Sequence, residues 1–303
     1  MKILDYLFAS RPMLHLPLWS VYLICLHREH QQTGDSFGAP HLITMICLSL
    51  MAAGAFYVNQ IFDYESDEIN DKLGFLQRDL TSPRGFMIGF LLLSIVGVAV
   101  AGLLSWLLLL IFLQGFVFAW VYSSPPLRLK DRPLAGLLAD AYCFGFLVPL
   151  TVTPQADRYP LSGVEWWTPC YFFLTVAAVH VLTTLPDRRG DRTTGKRTIA
   201  VVAGPTAARL SALLLMLASL VVAWRLEWTA LVYLSLFASV LILMAALFGS
   251  ARPDLFAAKA PLLMLTLLAG LPYPIYLVFV VALIIACRIY YRRRFGVVYP
   301  KPA

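Results

Sequence analysis

The sequence predicts an all-α, polytopic membrane protein, and three observations carry that reading. Of 303 residues, 60% are hydrophobic and only 14% are charged, whereas a soluble domain carries about 25% charged residues. Mean hydropathy is +0.75. The apolar residues fall into runs close to the roughly 20 residues that cross a bilayer as a helix, divided by short polar segments. In lipid, a spanning segment must satisfy its own backbone, and runs of this length do so as helices.

The elements follow in order. The opening "MKILDYLFASRPMLHL" holds Asp5 and Arg11 where a signal peptide keeps an apolar run, and no small-residue cleavage site follows. It predicts a short, retained interfacial helix leading into the first span. Spans are expected near 13–26, 41–60, 86–103, 105–122, 134–153, 166–185, 206–224 and 228–249. A stretch at 260–291 is interrupted by Pro272 and Pro274. As one straight helix it would cover about 48 Å, long for one span. It is short for two spans of about 17 residues plus a turn. The expectation is one final span kinked near Pro272, nine in all. No polar stretch is long enough for a soluble domain, so a single membrane domain over 1–303 is expected.

Charge orients the chain. With the N-terminus on the cytoplasmic side, the inner loops carry most of the Lys and Arg, from Lys72, Arg78 and Arg84 through Arg128, Lys130 and Arg132 to Arg188, Arg189, Lys196 and Arg197. The outer loops hold only Arg28, Arg158 and Arg225. This is the positive-inside pattern. The tail conflicts with it. Nine spans put Arg288, Arg292, Arg293, Arg294 and Lys301 outside, and ten put them inside. Nine is the expectation, with the basic end snorkelling to headgroups. The net charge of +7 reads as loops facing anionic membrane lipid, with no nucleic acid as partner. The five cysteines lie singly in apolar runs without a CxxC pair, so neither zinc nor disulfides are indicated.

The chemistry concentrates in acidic groups at span ends. In "NQIFDYESDEIN", Asn59, Asp63 and Asp67 are spaced i, i+4, i+8 on one helical face, with Asn70 near the same stripe. In "LPDRRGDRTTGKRT", Asp187 and Asp191 are spaced i, i+4 on the same side of the membrane. Either group alone suits a solvated helix end. Two that can converge across a bundle suit Mg²⁺ shared with a diphosphate, since Mg²⁺ takes carboxylate and water oxygens beside substrate phosphates. The loop "YSSPPLRLKDRP" adds Arg128 and Lys130 on that side. Within spans, Asp140 and His180 are positioned to orient an acceptor or take its proton. His180 precedes Asp187 by seven residues and shares its helical face.

Together these stretches resemble the UbiA family of intramembrane prenyltransferases. "NQIFDYESDEIN" resembles the first Asp-rich motif, "YSSPPLRLK" the YSxPPxRxK loop, and "LPDRRGDRTTGKRTIAVVAG" the second Asp-rich motif. "SRP" at Ser10–Pro12 fits the usual opening. The resemblance implies nine transmembrane helices around a central cavity, capped on the cytoplasmic side by the Asp-bearing loops. It implies Mg²⁺-dependent transfer of a prenyl group from a polyprenyl diphosphate donor to a small lipophilic or aromatic acceptor. By carry-over, Asn59, Asp63, Asp67, Asp187 and Asp191 hold Mg²⁺ and diphosphate, the four Asp being catalytic, while Arg128 and Lys130 neutralise the leaving group. Asn70, Lys72, Tyr122 and Lys196, within the same motifs, are expected at the substrate, with Asp140 and His180.

Two departures stand out. Gln60 occupies the place of the first Asp in many members, leaving the shell to Asp63 and Asp67. "NDKLGFLQRDLTSPRG" replaces an Arg-Pro-rich stretch, so donor or acceptor is expected to differ from the ubiquinone-type enzymes. The form of the second motif leans towards the homogentisate and chlorophyll-synthase branch. Two alternatives are a terpene cyclase on the same fold and a non-catalytic lipid-binding or transport protein. The latter predicts internal repeats with helices broken at mid-membrane, and no repeat is visible.

Overall fold

A computed structural model of the chain describes residues 2–34, 36–70, 72, 74–152, 166–249 and 251–300. Arg158 and Lys301, counted above, lie outside the described residues. The short α1 (Lys2–Ala9) is followed by α2 (His15–Thr33), α3 (Ala39–Phe62), α4 (Tyr64–Ile69), α5 (Pro83–Leu104) and α6 (Trp106–Ser123). Then α7 (Pro133–Asp140) runs through a π-helical segment, Ala141–Leu147, into α8 (Val148–Leu150). The remainder is α9 (Trp167–Thr193), α10 (Ile199–Val202), α11 (Gly204–Arg225), α12 (Thr229–Phe248), α13 (Ala251–Gly270) and α14 (Pro274–Phe295). No strand occurs among the described residues.

Nine helices among the described residues are long and apolar enough to cross a membrane. They match the expected number but not one for one. The stretch expected as a single kinked span is two helices, α13 and α14, joined by a turn at Leu271–Tyr273. Two features explain the difference. The half-length helix before Pro272 is completed upstream by "ARPDLFAAK", whose polar sequence disguises it. Its Asp254 is buried against Arg209 of α11, with Nε to Oδ1 at 2.7 Å and Nη2 to Oδ2 at 2.8 Å. Gly270 then lets the two helices close, since a Cβ there would sit 2.3 Å from Leu277 Cγ.

The tail is the second correction. Arg294 donates from Nε and Nη2 to the two carboxylate oxygens of Asp5, both at 3.0 Å. Tyr290 donates to Asp5 Oδ1 at 2.6 Å, and its ring stacks on Phe8 at 3.8 Å. The end of α14 therefore lies against α1, on the same face of the bundle as the N-terminus and not on the opposite one. α2 supplies the extra crossing. Arg11, just before it, is 3.5 Å from Asp67. At its far end Arg28 donates to Leu226 O at 3.1 Å and lies over Trp228. The span expected near 13–26 is the apolar first part of α2, which continues as a helix through the polar "HREHQQT".

Small residues bring the helices of one half together. Ala177 and Ala178 of α9, Ala208 and Ala212 of α11, Ala238 and Ala245 of α12 and Ala257 of α13 are all fully buried. Without a hydrophobic force between helices in lipid, such close approach supplies the dispersion contact. At Gly145 a Cβ would fall 2.5 Å from Phe172 O. The π-helical segment thus rests directly on α9, which brings Asp140 opposite His180. Leu103, Leu214, Val221, Leu247 and Ile275 point outward, as lipid-facing side chains should.

Two outcomes test this fold. In a background without the five native cysteines, Ile3→Cys and Val298→Cys should react with an impermeant thiol reagent from the same side, and Arg225→Cys from the other. Reaction of Val298→Cys together with Arg225→Cys would restore the kinked span. Asp254→Ala should cost about 3–5 kcal/mol by stranding a buried guanidinium, read as lost thermal stability in detergent, while the double replacement Arg209→Leu/Asp254→Leu should cost less.

Candidate active site

The two acidic motifs meet at one end of the bundle. α3 ends at Phe62 and α4 begins at Tyr64, so the chain bends at Asp63 (φ −101°, ψ 7°). The bonds Asp63 N–H to Asn59 O and Asp67 N–H to Asp63 O, at 2.9 and 2.8 Å, carry the helical register through the bend. α9 runs through Pro186 as far as Thr193 and carries Asp187 and Asp191. Asn70 fastens the two motifs. Its Oδ1 accepts from Gly190 N–H at 2.9 Å and its Nδ2 donates to Asp187 O at 3.3 Å. A Cβ at residue 190 would strike Asn70 Nδ2 at 2.5 Å, which explains the glycine of "RRGD".

Each acid of one motif faces an acid of the other across an ammonium. Lys72 Nζ lies 3.1 Å from Asp67 Oδ1 and 2.8 Å from Asp187 Oδ2. Lys196 Nζ is in close contact with Asp63 Oδ1, 3.9 Å from Asp191 Oδ1 and 2.7 Å from Ser66 Oγ. Lys130 Nζ stands 3.0 Å from Asp63 Oδ1. That nitrogen is buried yet has no well-aligned hydrogen-bond acceptor among the described residues. Burial alone would raise the Asp63 pKa, but the charges of Lys130 and Lys196 outweigh it and hold the carboxyl down at about 2. Burial pushes Lys130 down to about 8 against the pull of Asp63. For Lys72 burial also lowers the pKa, but Asp187 and Asp67 overcome it and the result is raised.

Beneath this rim lies a cavity of about 440 Å³. Asn59, Asp63, Lys72, Tyr122, Lys130, Asp140, His180, Asp187, Asp191 and Lys196 all line it. Its depth is apolar, with Leu48, Met51, Phe112 and Phe144 among the walls. Three expected site residues stand back from it. Asp67 is held behind Lys72 and Arg11. Asn70 spends both polar atoms on α9. Arg128, at φ +40°, pairs with Asp131 at 2.6 Å and donates to Phe62 O at 3.4 Å, so it shapes the loop that presents Lys130. Gln60 also faces away, donating to Ala9 O at 2.8 Å and Phe56 O at 2.9 Å. Asp140 and His180 form a pair, with Nδ1 to Oδ2 at 2.9 Å.

Sequence reasoning left out Arg11, Thr183, Thr184 and Thr198, which also line the cavity. Arg11 lay inside the quoted "SRP" but read as loop charge. Thr198, 3.4 Å from Asp191 Oδ2, carries no local signal of its own.

The rim suits a hard divalent cation. Among the described residues no three acidic, His or Cys side chains close a metal cage by themselves. Mg²⁺ does not need one, because it is commonly bound by one or two carboxylates with waters and substrate phosphates. The acid pairs Asp67–Asp187 and Asp63–Asp191 offer only oxygen, and each brackets a position that Lys72 or Lys196 fills with positive charge.

Comparison with known proteins gives the family and the fold. The profile of the UbiA prenyltransferase family matches residues 30–259. A lycopene elongase/hydratase of Halobacterium salinarum is 28% identical over 215 residues, 66% of this chain and 71% of that protein. A digeranylgeranylglyceryl phosphate synthase of Thermococcus gammatolerans is 29% identical over 54% of this chain and 56% of its own length. The match thus spans little more than half of that second relative. Among solved structures, a UbiA homologue from Archaeoglobus fulgidus bound to GPP and Mg²⁺ superposes with a TM-score of 0.67. The superposition covers 88% of this chain and 99% of that one at 16% identity, a likeness of fold. With nine helices among the described residues long and apolar enough to cross a membrane, two facing Asp motifs and a family match over most of its length, the chain belongs to the UbiA prenyltransferase family.

Proposed function

We propose that residues 1–303 form one membrane domain that transfers the prenyl group of a polyprenyl diphosphate to a lipophilic acceptor, with Mg²⁺ as cofactor. The observation that carries this is the rim of paired carboxylates and ammonium groups set directly on an apolar cavity. One substrate with a charged head and a hydrocarbon tail fits both halves at once. The concentration of Lys and Arg around the Asp motifs supports a cytoplasmic location for that rim and, with it, for the N-terminus.

Mg²⁺ held by Asp63, Asp187 and Asp191, and by Asp67 once Lys72 swings away from it, would neutralise charge on the departing diphosphate. Lys130, paired with Asp63 at 3.0 Å, has further N–H groups to offer a phosphate oxygen. Lys72 and Lys196 exchange carboxylate partners for phosphate when the donor binds, and so stabilise charge that grows as the allylic C–O bond breaks. Asn59, held by Ser123 Oγ at 3.4 Å, and Tyr122 flank the head. The apolar walls keep water from the allylic cation, and the faces of Phe112, Phe118 and Phe144 attract it.

The test is incubation of proteoliposomes with labelled geranylgeranyl diphosphate and three acceptor probes: homogentisate, geranylgeranylglyceryl phosphate and lycopene. Products are identified by mass. A prenylated probe supports transfer. A cyclised hydrocarbon formed without any probe would instead show a cyclase. Asp63→Asn and Asp187→Asn should each lower turnover by about 100-fold or more, with membrane insertion intact. Chelation should abolish turnover, and Mn²⁺ should restore it because every ligand is oxygen. Full turnover in excess chelator would overturn the metal assignment.

A further inference from the structure

Two chambers lie below the rim. The second, of about 190 Å³, borders the main one at Leu14, Leu18, Asp140, Phe144, His180 and Thr183, which line both. The main limb runs between α3 and α6, past Met51 and Phe112. The narrow limb runs between α9 and α13, past Val176, Met216, Leu262 and Leu265. Only four polar side chains line the narrow limb among the described residues. Thr175 donates to Phe172 O at 3.0 Å and Thr183 to His180 O at 2.8 Å, so both hydroxyls are spent on their own helix. What remains is the Asp140–His180 pair at the border of the two chambers.

The pair has a defined polarity. With Asp140 as a carboxylate, which only accepts, the 2.9 Å bond takes its proton from His180 Nδ1. The Nε2 lone pair is then the free face of the ring, the arrangement by which a carboxylate fixes a histidine base. No described residue takes that Nε2. His180 lies seven residues from Asp187 on one helix, a drop of about 10 Å below the diphosphate rim. That depth accommodates the donor's first carbon and an acceptor atom in contact with it. Phe172, in the narrow limb, lies about 12 Å deeper still along α9.

We infer that the narrow limb holds the hydrocarbon chain of an acceptor that is itself a lipid-tailed molecule, and that His180 Nε2 takes the proton which that acceptor loses. The inference rests on the prenyl-transfer reading above and specifies its second substrate. The donor's C–O bond breaks and its electron pair leaves with the diphosphate. The acceptor's nucleophilic atom bonds to the allylic carbon. Its proton passes to Nε2, and the imidazolium stays paired with the Asp140 carboxylate until it gives the proton to the released diphosphate or to water. Asp140 is a positioning residue here. Two chains, one per limb, then meet at that border.

The test separates this from the parent reading. Geranylgeraniol carrying a terminal diazirine, which has a tail but no diphosphate, is photolysed in nanodiscs holding the full chain with Mg²⁺. Labelled residues are mapped with and without geranylgeranyl thiolodiphosphate, an unreactive donor analogue. Saturating analogue should lower labelling at Met51 and Phe112 by about tenfold while labelling at Val176 and Leu262 persists. Val176→Trp should remove the persistent label. Loss of all labelling with analogue, or labelling of the main limb alone or of neither limb, overturns the second chamber. An analogue that displaces nothing from the main limb would instead overturn the donor site. On whichever acceptor is turned over, His180→Gly should lose about 100-fold or more in kcat at unchanged donor KM and recover in part with added imidazole. Asp140→Asn should lower kcat and gain nothing from imidazole. A full rate in His180→Gly would remove the base.

Discussion

The structure depends on neutralising carboxylates at the edge of hydrocarbon. Asp63, Asp67 and Asp191 are buried at the end of an apolar bundle. There an unpaired charge is costly, and the usual relief is protonation. Instead, Lys72 and Lys196 each stand between an acid of the first motif and an acid of the second, and Lys130 adds a further charge beside Asp63. The ammonium groups thus fasten α4 and the α3–α4 bend to α9. The same pairing leaves the rim ready to exchange carboxylate–ammonium contacts for contacts to a phosphate head and its metal.

That exchange needs a frame that does not give way. Three fastenings hold the bundle without lining the site. Asp5 with Arg294 and Tyr290 closes the end of α14 onto α1. Arg209 with Asp254 ties α11 to α13. Gln60 ties α3 to the end of α1. The last takes Gln60 out of the metal rim. At this position the side chain faces a backbone carbonyl and not the cavity. The π-helical segment beyond Asp140 has a comparable role, since π-turns commonly re-aim residues at functional sites. It sets Asp140 against His180 at the border of the two chambers.

Much of this was legible along the chain. Hydropathy and run length determined a helical membrane bundle, because lipid leaves the backbone no other open-ended solution. The i, i+4 spacing of Asp63 with Asp67, and of Asp187 with Asp191, marked the rim, because which residues share a helical face is a local property. Charge bias in the loops also pointed to the face on which the tail lies, and the arithmetic of a 32-residue apolar stretch pointed away from it. The sequence could not show that Ala251–Lys259 is helical or that Asp254 within it is buried. Asp254 is buried only because Arg209, 45 residues earlier, meets it.

The rest was decided by tertiary structure alone. Which lysine sits between which acids, the withdrawal of Asn70, Arg128 and Gln60 into structural contacts, and the place of Arg11 and Thr198 at the cavity all depend on residues far apart in the chain. So does the border between the two chambers at Asp140 and His180, 40 residues apart. Residue type and spacing specify what a side chain can do and which face of its own helix it occupies. Only the packing of one helix on another determines what that face meets.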